Sequence, residues 1–377
     1  MIKPSTPFPV TGYYGAAYLC DRENETRVLL ENIRGGASTI LVARRRIGKT
    51  SLIMHVLSRL PVETRGVYLD ILPTENMNGF LNELASAVIR NVPQRKGFGK
   101  KVWDFITSLR PSLTFDMLTG APQVSFTVKD REVGQRIEQI FRFLEKQDKR
   151  IVIAIDEFQQ IMKYPEKNMD AWLRSVIQTL KNVVFIFSGS HQHLMNELFT
   201  VPSKPFYNSA RMLRIDKIDH HKYAAFILKK FSENRITITA EIVDQMLEWA
   251  DHHTFYVQLL CNRVYLRGGS SRGENDWKEE AGRLLKEHEP VFFNYREMLT
   301  IPQWNMLKAM AFENELFEPT GFDFISRHRL GNPSTVLRSL QALVRMELVY
   351  YDYTPEGKKY YNINDLLFRR WVQRREI

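Results

Sequence analysis

The residues best suited to chemistry form one run, Ala43-Arg44-Arg45-Arg46-Ile47-Gly48-Lys49-Thr50-Ser51. Holding a phosphate takes convergent backbone N–H donors, a helix amino terminus, a mobile ammonium and a hydroxyl that can ligate Mg2+. This run can supply all four. Gly48 lets the backbone approach the phosphates, Lys49 is expected to reach the β- and γ-phosphates, and Thr50 to ligate Mg2+. Arg45, Arg46, Ile47 and Ser51 complete the expected binding loop for ATP. The usual pattern opens with glycine, and here that position is Ala43, whose Cβ is expected to make a tight bend costlier.

A second group, Asp156 and Glu157, follows the apolar run Ile151-Val152-Ile153-Ala154-Ile155. Parallel sheets present ligands at the carboxyl ends of their strands, where the loop after an earlier strand also emerges. Asp156 is expected to hold Mg2+ through water, and Glu157 to orient or polarise an attacking water. A third strand tip carries Ser188-Gly189-Ser190-His191, so Ser188 or Ser190 is placed to sense a γ-phosphate beside Asp156. Farther on, His252 and His253 are adjacent in sequence, a spacing that does not converge on zinc as an i, i+4 pair does.

The elements that position these groups alternate. Strands are expected over 38–43, 66–72, 151–155, 183–188 and 212–215, with helices over 49–60, 78–91, 133–146 and 170–180. Strands alternating with helices imply an α/β fold with a parallel sheet covered on both faces. A hairpin insertion is expected over 112–128, around Thr119-Gly120-Ala121-Pro122. After residue 217 the pattern turns helical, over 220–231, 240–250 and 256–266, with a further helix to about 285. Three helices (302–312, 323–327 and 333–345) and a hairpin around Thr354-Pro355-Glu356-Gly357 then read as a winged helix. The expected domains are a core over 1–217, a helical lid over 218–290 and a winged helix over 291–377.

Composition narrows the class. At 377 residues the chain exceeds one ordinary core. Its apolar stretches are far shorter than the roughly 20 residues that span a bilayer, so no membrane partner is expected. The first ten residues hold Pro4, Pro7 and Pro9 and no apolar run of the secretory kind. Two cysteines, Cys20 and Cys261, make neither a disulfide framework nor a metal cluster, and a cytoplasmic location fits best. The formal charge of +10 raises nucleic acid as a partner. Its excess sits partly in the phosphate loop and partly in Arg90, Arg95, Lys96, Lys100 and Lys101, read as a solvated loop punctuated by Pro93, Gly97 and Gly99.

Taken together, these residues resemble the archaeal-type ATPase family, P-loop ATPases related to the STAND and AAA-plus groups. The resemblance extends over nearly the whole chain. Arg45-Arg46-Ile47-Gly48-Lys49-Thr50 matches the family's P-loop, Ile155-Asp156-Glu157-Phe158-Gln159 its Walker B segment, and Ser188-Gly189-Ser190 its sensor strand. An adenine-side Phe/Tyr-x-x-Arg-Glu-x-Glu box corresponds to Tyr18-Leu19-Cys20-Asp21-Arg22-Glu23-Asn24-Glu25 with one position slipped, which implies that Arg22 lies near the nucleotide. Phe255-Tyr256 match the lid's Gly-His-Pro-Phe-Tyr motif, with His252 and Thr254 where Gly and Pro are usual, and His253 is implied as a nucleotide contact. A Pro-Leu-Tyr-Gly-Arg motif is similar to Pro205-Phe206-Tyr207-Asn208-Ser209-Ala210-Arg211, with three residues instead of one before the arginine. It makes Arg211 a candidate phosphate contact. Asn364-Asp365-Leu366-Leu367-Phe368-Arg369-Arg370-Trp371 resembles the family's closing segment, and the resemblance also implies a winged-helix domain.

The expected activity is Mg-ATP hydrolysis, slow without a partner, in a nucleotide-dependent switch read by an unidentified protein. The alternative is a nucleotide-regulated DNA binder whose recognition helix spans 333–345, with Val336, Leu337, Leu340 and Val344 inward and Arg338, Gln341 and Arg345 outward. From Ile301 onward there are eleven Lys or Arg against nine Asp or Glu, a balance that suits protein docking as well as DNA. A slow or inactive nucleotide-binding scaffold is the third reading, kept open by Ala43.

Overall fold

The computed structural model describes residues 4–91, 98–117, 120–354 and 356–375. They fall into two compact units, one of residues 4–5 and 9–223 and the other of residues 6–8 and 224–375.

In the first unit, α1 (Glu23–Arg34) leads into β1 (Thr39–Ala43), then α2 (Lys49–Ser58), β2 (Thr64–Asp70) and α3 (Met77–Arg90). There follow α4 (Phe98–Ser108), β3 (Ser112–Phe115), β4 (Pro122–Ser125), α5 (Asp130–Glu145) and β5 (Arg150–Asp156). A 3-10 turn (Phe158–Lys163), α6 (Met169–Ile177), β6 (Val183–Gly189), α7 (Gln192–Thr200) and β7 (Arg211–Ile215) complete it. The sheet is five-stranded and parallel in the order β2-β5-β6-β1-β7. The central strands are buried along nearly their whole length, whereas the edge strand β7 exposes Arg211, Met212 and Arg214. Continuous apolar runs belong where both faces are covered, and charged side chains on an edge oppose further pairing.

Side chains alternate across the sheet. Leu41, Ala43, Val152, Ala154 and Ile186 pack with Leu29 and Ile33 of α1 and with Leu52, Ile53 and Val56 of α2. Ile40, Val42, Ile153, Ile155 and Phe187 pack on the other face with α3, α5, α6 and α7. The hairpin β3–β4 closes onto α3: the Val124 N–H donates to Ser86 Oγ at 2.8 Å and the Phe126 N–H to Asn82 Oδ1 at 2.9 Å. Thr119 of the expected turn lies outside the described residues.

The stretch read as a basic loop is partly α4. Lys100 and Lys101 lie on this helix, whose Val102 and Ile106 are buried in the core. Their four-residue spacing is helical, but Gly97, Gly99 and the lysines masked it. Arg95 and Lys96 lie outside the described residues.

The chain continues as α8 (His220–Glu233), α9 (Ala240–Trp249), α10 (Thr254–Leu266) and α11 (Glu274–Met298). Then come α12 (Ile301–Met310), α13 (Phe322–His328), α14 (Pro333–Arg345), β8 (Val349–Tyr353), β9 (Lys359–Ile363) and α15 (Leu366–Arg375). The α12–α14 helices and the antiparallel β8–β9 hairpin form the winged helix. Pro355 of its expected turn is outside the described residues. The helix expected to stop near residue 285 instead passes through Pro290 to Met298. It gains a buried anchor there, Phe292, whose ring sits 5.6 Å from Phe368 and 5.3 Å from Trp371.

Residues 6–8 were expected in the first domain. Phe8 is instead fully buried in the second unit, 5.0 Å from the Phe231 ring, and Asn262 Nδ2 donates to Thr6 Oγ1 and to the Phe8 carbonyl.

Candidate functional site

The register aligns the carboxyl ends of four strands: Asp70 pairs with Asp156, Ile155 with Phe187, and Val42 with Gly189. Because β6 lies between β1 and β5, the serines at its tip stand between the phosphate loop and the carboxylates. That order places Ser188 within reach of Asp156.

The loop begins with Ala43 in strand geometry, outside the left-handed region. The expected bend cost is therefore absent, since the left-handed residues are Arg46 at φ 61° and Gly48 at φ 104°. Gly48 is the residue that needs its freedom. It caps α2 without a side-chain hydrogen bond, so its first-turn N–H groups suit an anion. Ile47 does not face a ligand with its side chain. It is buried with Leu41 and Leu52, anchoring the loop to the core, and can meet a phosphate only through its backbone. Arg45 and Arg46 are exposed, and Ser51 is half-buried on the first turn.

Lys49 is buried, and its Nζ donates to the carbonyls of Ala43 at 3.3 Å and Arg44 at 3.1 Å. Burial holds its pKa below the ordinary lysine value; Glu157 and Asp156 oppose that shift, and Arg45 adds to it. Thr50 Oγ1 donates to Asp156 Oδ2 at 2.7 Å. The other Asp156 oxygen accepts from Ser188 Oγ at 2.7 Å and from the Glu157 N–H at 3.1 Å. Glu157 itself is left-handed, at φ 56°. Its Oε2 accepts from Ser190 Oγ at 2.7 Å, from the Ser190 N–H at 3.3 Å and from Gln159 Nε2 at 2.6 Å. The structure thus brings Lys49, Thr50, Asp156, Glu157, Ser188 and Ser190 together.

Four participants went unread in the sequence. Tyr68 Oη donates to Asp156 Oδ2 at 3.0 Å, on the same oxygen as Thr50. Its own ionisation is pushed upward, first by burial and then by Asp156 and Asp70. Asp70 ends β2 beside Asp156, and burial raises its pKa, with the Leu72 N–H opposing and Asp156 and Glu157 adding. An acid closing an apolar strand was the signal for Asp156, and the same test finds Asp70. Gln159 is fully buried, and its position has no sequence signal beyond the motif. Gly189 is required by close approach: a Cβ there would lie 2.2 Å from Gln159 Oε1 and 2.7 Å from Met195.

Arg211, expected at the phosphates, and Arg22, expected on the adenine side, are both engaged by other groups of the unit. Arg211 opens β7 opposite Thr39, at the amino edge of the sheet, while Ala43 pairs with Ile215 at the loop end. Four strand steps separate the two pairs, about 13 Å at roughly 3.3 Å per residue. Its guanidinium donates to Asn32 Oδ1 at 2.8 Å. Arg22 is buried and donates to Glu25 Oε1 and the Asp216 carbonyl, both at 2.8 Å, which makes it a brace between the start of α1 and the end of β7. His253 lies in the second unit as the buried N-cap residue of α10, its ring 4.9 Å from Tyr256. In that unit two motifs meet: Tyr256 Oη accepts from the Leu366 N–H at 3.1 Å and donates to Asp365 Oδ1 at 3.4 Å.

A Mg-nucleotide fits this donor set. Among the described residues no three His, Cys, Asp or Glu side chains converge on a metal. Thr50 and Asp156 offer hard oxygens, and Mg2+ is commonly held by one or two carboxylates together with substrate phosphates.

The ATPase domain model described as predominantly from Archaea matches residues 19–258, and a model for a probable winged helix domain matches residues 290–374. No curated protein matches the sequence. Among solved structures, a Walker-type ATPase of Pyrococcus abyssi is similar over 98% of this chain and 100% of its own, at 19% identity and TM-score 0.67. The Aeropyrum pernix ORC2 protein, in ADPNP–ADP complexes, is similar over 97% of this chain and 98% of its own, at 13% identity and TM-score 0.55. The Aeropyrum pernix ORC1 protein in complex with DNA is similar over 98% and 96%, at 14% identity and TM-score 0.52. The ATPase model covers more than half of the chain, and the chain belongs to the family of ATPase domains found predominantly in Archaea, followed by a winged helix.

Proposed function

We propose that this chain binds Mg-ATP and hydrolyses it slowly, as a switch whose nucleotide state is read by a protein partner. The observation that carries this reading is the 2.7 Å bond between Thr50 Oγ1 and Asp156 Oδ2 beside the buried Lys49. The β- and γ-phosphates would lie on the first-turn N–H groups of α2, with the Lys49 ammonium against them. Its burial makes an anionic partner more favourable than water would. Thr50 and Asp156 would hold Mg2+, which neutralises charge on the phosphate oxygens when bound. Ser188 and Tyr68 keep the Asp156 carboxylate oriented. Glu157 would orient or polarise an attacking water, with Ser190 and Gln159 fixing the direction of its carboxylate.

The test is Mg-dependent turnover and nucleotide binding by the purified protein beside Lys49→Ala and Glu157→Gln. Lys49→Ala is expected to abolish binding, and Glu157→Gln to bind ATP without turning it over. Turnover retained in Glu157→Gln would remove its assigned role.

For the rest of the chain we propose a core over 1–217 apart from residues 6–8, which pack in the second unit, then a lid over 218–290 and a winged helix over 291–377. No helix among the described residues is long and apolar enough to cross a membrane, and both cysteines are free thiols, which suits a cytoplasmic setting. DNA binding is the second reading, favoured by the exposed Arg338, Gln341 and Arg345 on α14. Leu337, expected inward, is 43% exposed on that same face, because Val336, Leu340 and Leu343 already fill the buried stripe. A steep loss of duplex affinity with salt, flattened in Arg338→Ala, would support this reading; absence of binding at low salt would eliminate it.

A further inference from the structure

We infer that the first unit has a second ligand site, for a small organic molecule bearing a carboxylate or phosphate, at the sheet edge away from the phosphate loop. A cleft of about 850 Å3 opens there, at the amino ends of β1, β6 and β7 and against the last turns of α6 and α7. That volume is in the range of small-molecule sites, roughly 300–1,000 Å3. Its lining carries Arg174 and Arg211 and no acidic residue.

Arg174 is half-buried, and among the described residues its guanidinium has no hydrogen-bond or ion-pair partner. A cation partly withdrawn from water without a counter-charge is costly, and a bound anion removes that cost. Arg211 lines the cleft and gives one Nη to Asn32, which leaves further donors of its planar fork for a ligand. Ser209 Oγ is the third element: it lines the cleft, is shielded from water and has no hydrogen-bond partner. Such an orphan hydroxyl ordinarily marks a missing partner. Phe185 and Phe199, both buried, supply an apolar wall suited to the carbon part of the molecule. Guanidinium forks match carboxylate and phosphate alike, so the shared chemistry is an oxyanion on a compact organic frame.

The site is distinct from the nucleotide loop because Arg211 pairs with Thr39 at one end of β1 and Ala43 with Ile215 at the other.

The experiment is isothermal titration of citrate and of glycerol phosphate into full-length protein in magnesium-free buffer, at ionic strength matched with sodium chloride. It is repeated on Arg174→Gln, Ser209→Ala and Lys49→Ala. Saturable binding of either probe, weakened about tenfold or more in Arg174→Gln as for loss of a charge-assisted hydrogen bond, supports the site. Preference for citrate points to a carboxylate source and preference for glycerol phosphate to a phosphorylated one. Binding that persists in Lys49→Ala separates this cleft from the nucleotide loop, whether or not that loop takes nucleotide. Neither probe binding beyond the chloride control, or binding unchanged in both Arg174→Gln and Ser209→Ala, would overturn the inference. Arg174→Gln is expected to melt with the wild type in chloride, since it breaks no bond within the unit; if it does not fold, Ser209→Ala alone decides.

Discussion

Replacing Gly189 with alanine puts the geometry around Glu157 to a quantitative test. The new Cβ would lie 2.2 Å from Gln159 Oε1 and 2.7 Å from Met195 Cγ and Sδ. Gln159 is fully buried and holds Glu157 Oε2 through its Nε2 at 2.6 Å, so the carboxamide cannot give way without releasing that bond. Overpacking a core costs about 1–3 kcal/mol. For a unit of this size that is roughly 2–4 °C per kcal/mol, or a fall of about 2–12 °C in the melting temperature. Thermal unfolding measures the cost, and the cost should be smaller when the substitution is made in Gln159→Ala, where the nearer clash is gone and only Met195 remains. Turnover should change together with stability in the single variant, because Glu157 loses one of its donors. Equal destabilisation in both backgrounds would refute the argument, since the clash with Gln159 would then carry none of the cost.

Other predictions follow from single observations. Asp70 has a raised folded pKa, so the folded state holds its proton more tightly than the unfolded chain, and its contribution to stability is present at low pH and lost as pH rises through the folded value. Asp70→Asn should therefore melt above the wild type at pH 8, with the gap closing on acidification; a gap independent of pH would count against a partly desolvated carboxylate at Asp70. Ala43→Gly should leave nucleotide affinity unchanged and cost about 0.5–1 kcal/mol, the penalty of glycine in a strand; tighter binding by the glycine variant would show that the Cβ does strain the loop. Asp365 accepts the N–H groups of Leu367 and Phe368 and the hydroxyls of Tyr256 and Tyr295. Asp365→Ala should cost about 0.5–2 kcal/mol through loss of the cap, with faster amide exchange at the start of α15, while Asp365→Asn should retain most of it.

Much of the proposed nucleotide site was legible because its chemistry is local. A glycine, a lysine and a threonine between an apolar strand and an amphipathic helix state their purpose through spacing, and Asp156 does so by ending a buried strand. Ser188 and Ser190 were readable for the same reason. Tyr68 and Gln159 were not, and Asp70, though it too is an acid closing an apolar strand, could not be assigned to the site, because that rests on which strand lies beside which: β2 against β5 brings Asp70 to Asp156, and no spacing within the chain encodes that pairing. Arg211 failed in the opposite way. A motif placed it near phosphate, but it opens a parallel strand and so lies at the edge away from the loop.

Local sequence was enough to establish the alternation of strand and helix, the loop between β1 and α2, the acid pair at the end of β5 and the winged-helix pattern, since period, turn chemistry and residue type act over a few neighbours. Long-range packing decided the rest. It interposed β6 between β1 and β5, joined Tyr256 to the segment at Asp365, carried α11 through Pro290, and took Phe8 out of the first unit into the core of the second. Burying an aromatic ring or satisfying a carboxylate depends on partners tens or hundreds of residues away, and those partners become known once the chain has folded back on itself.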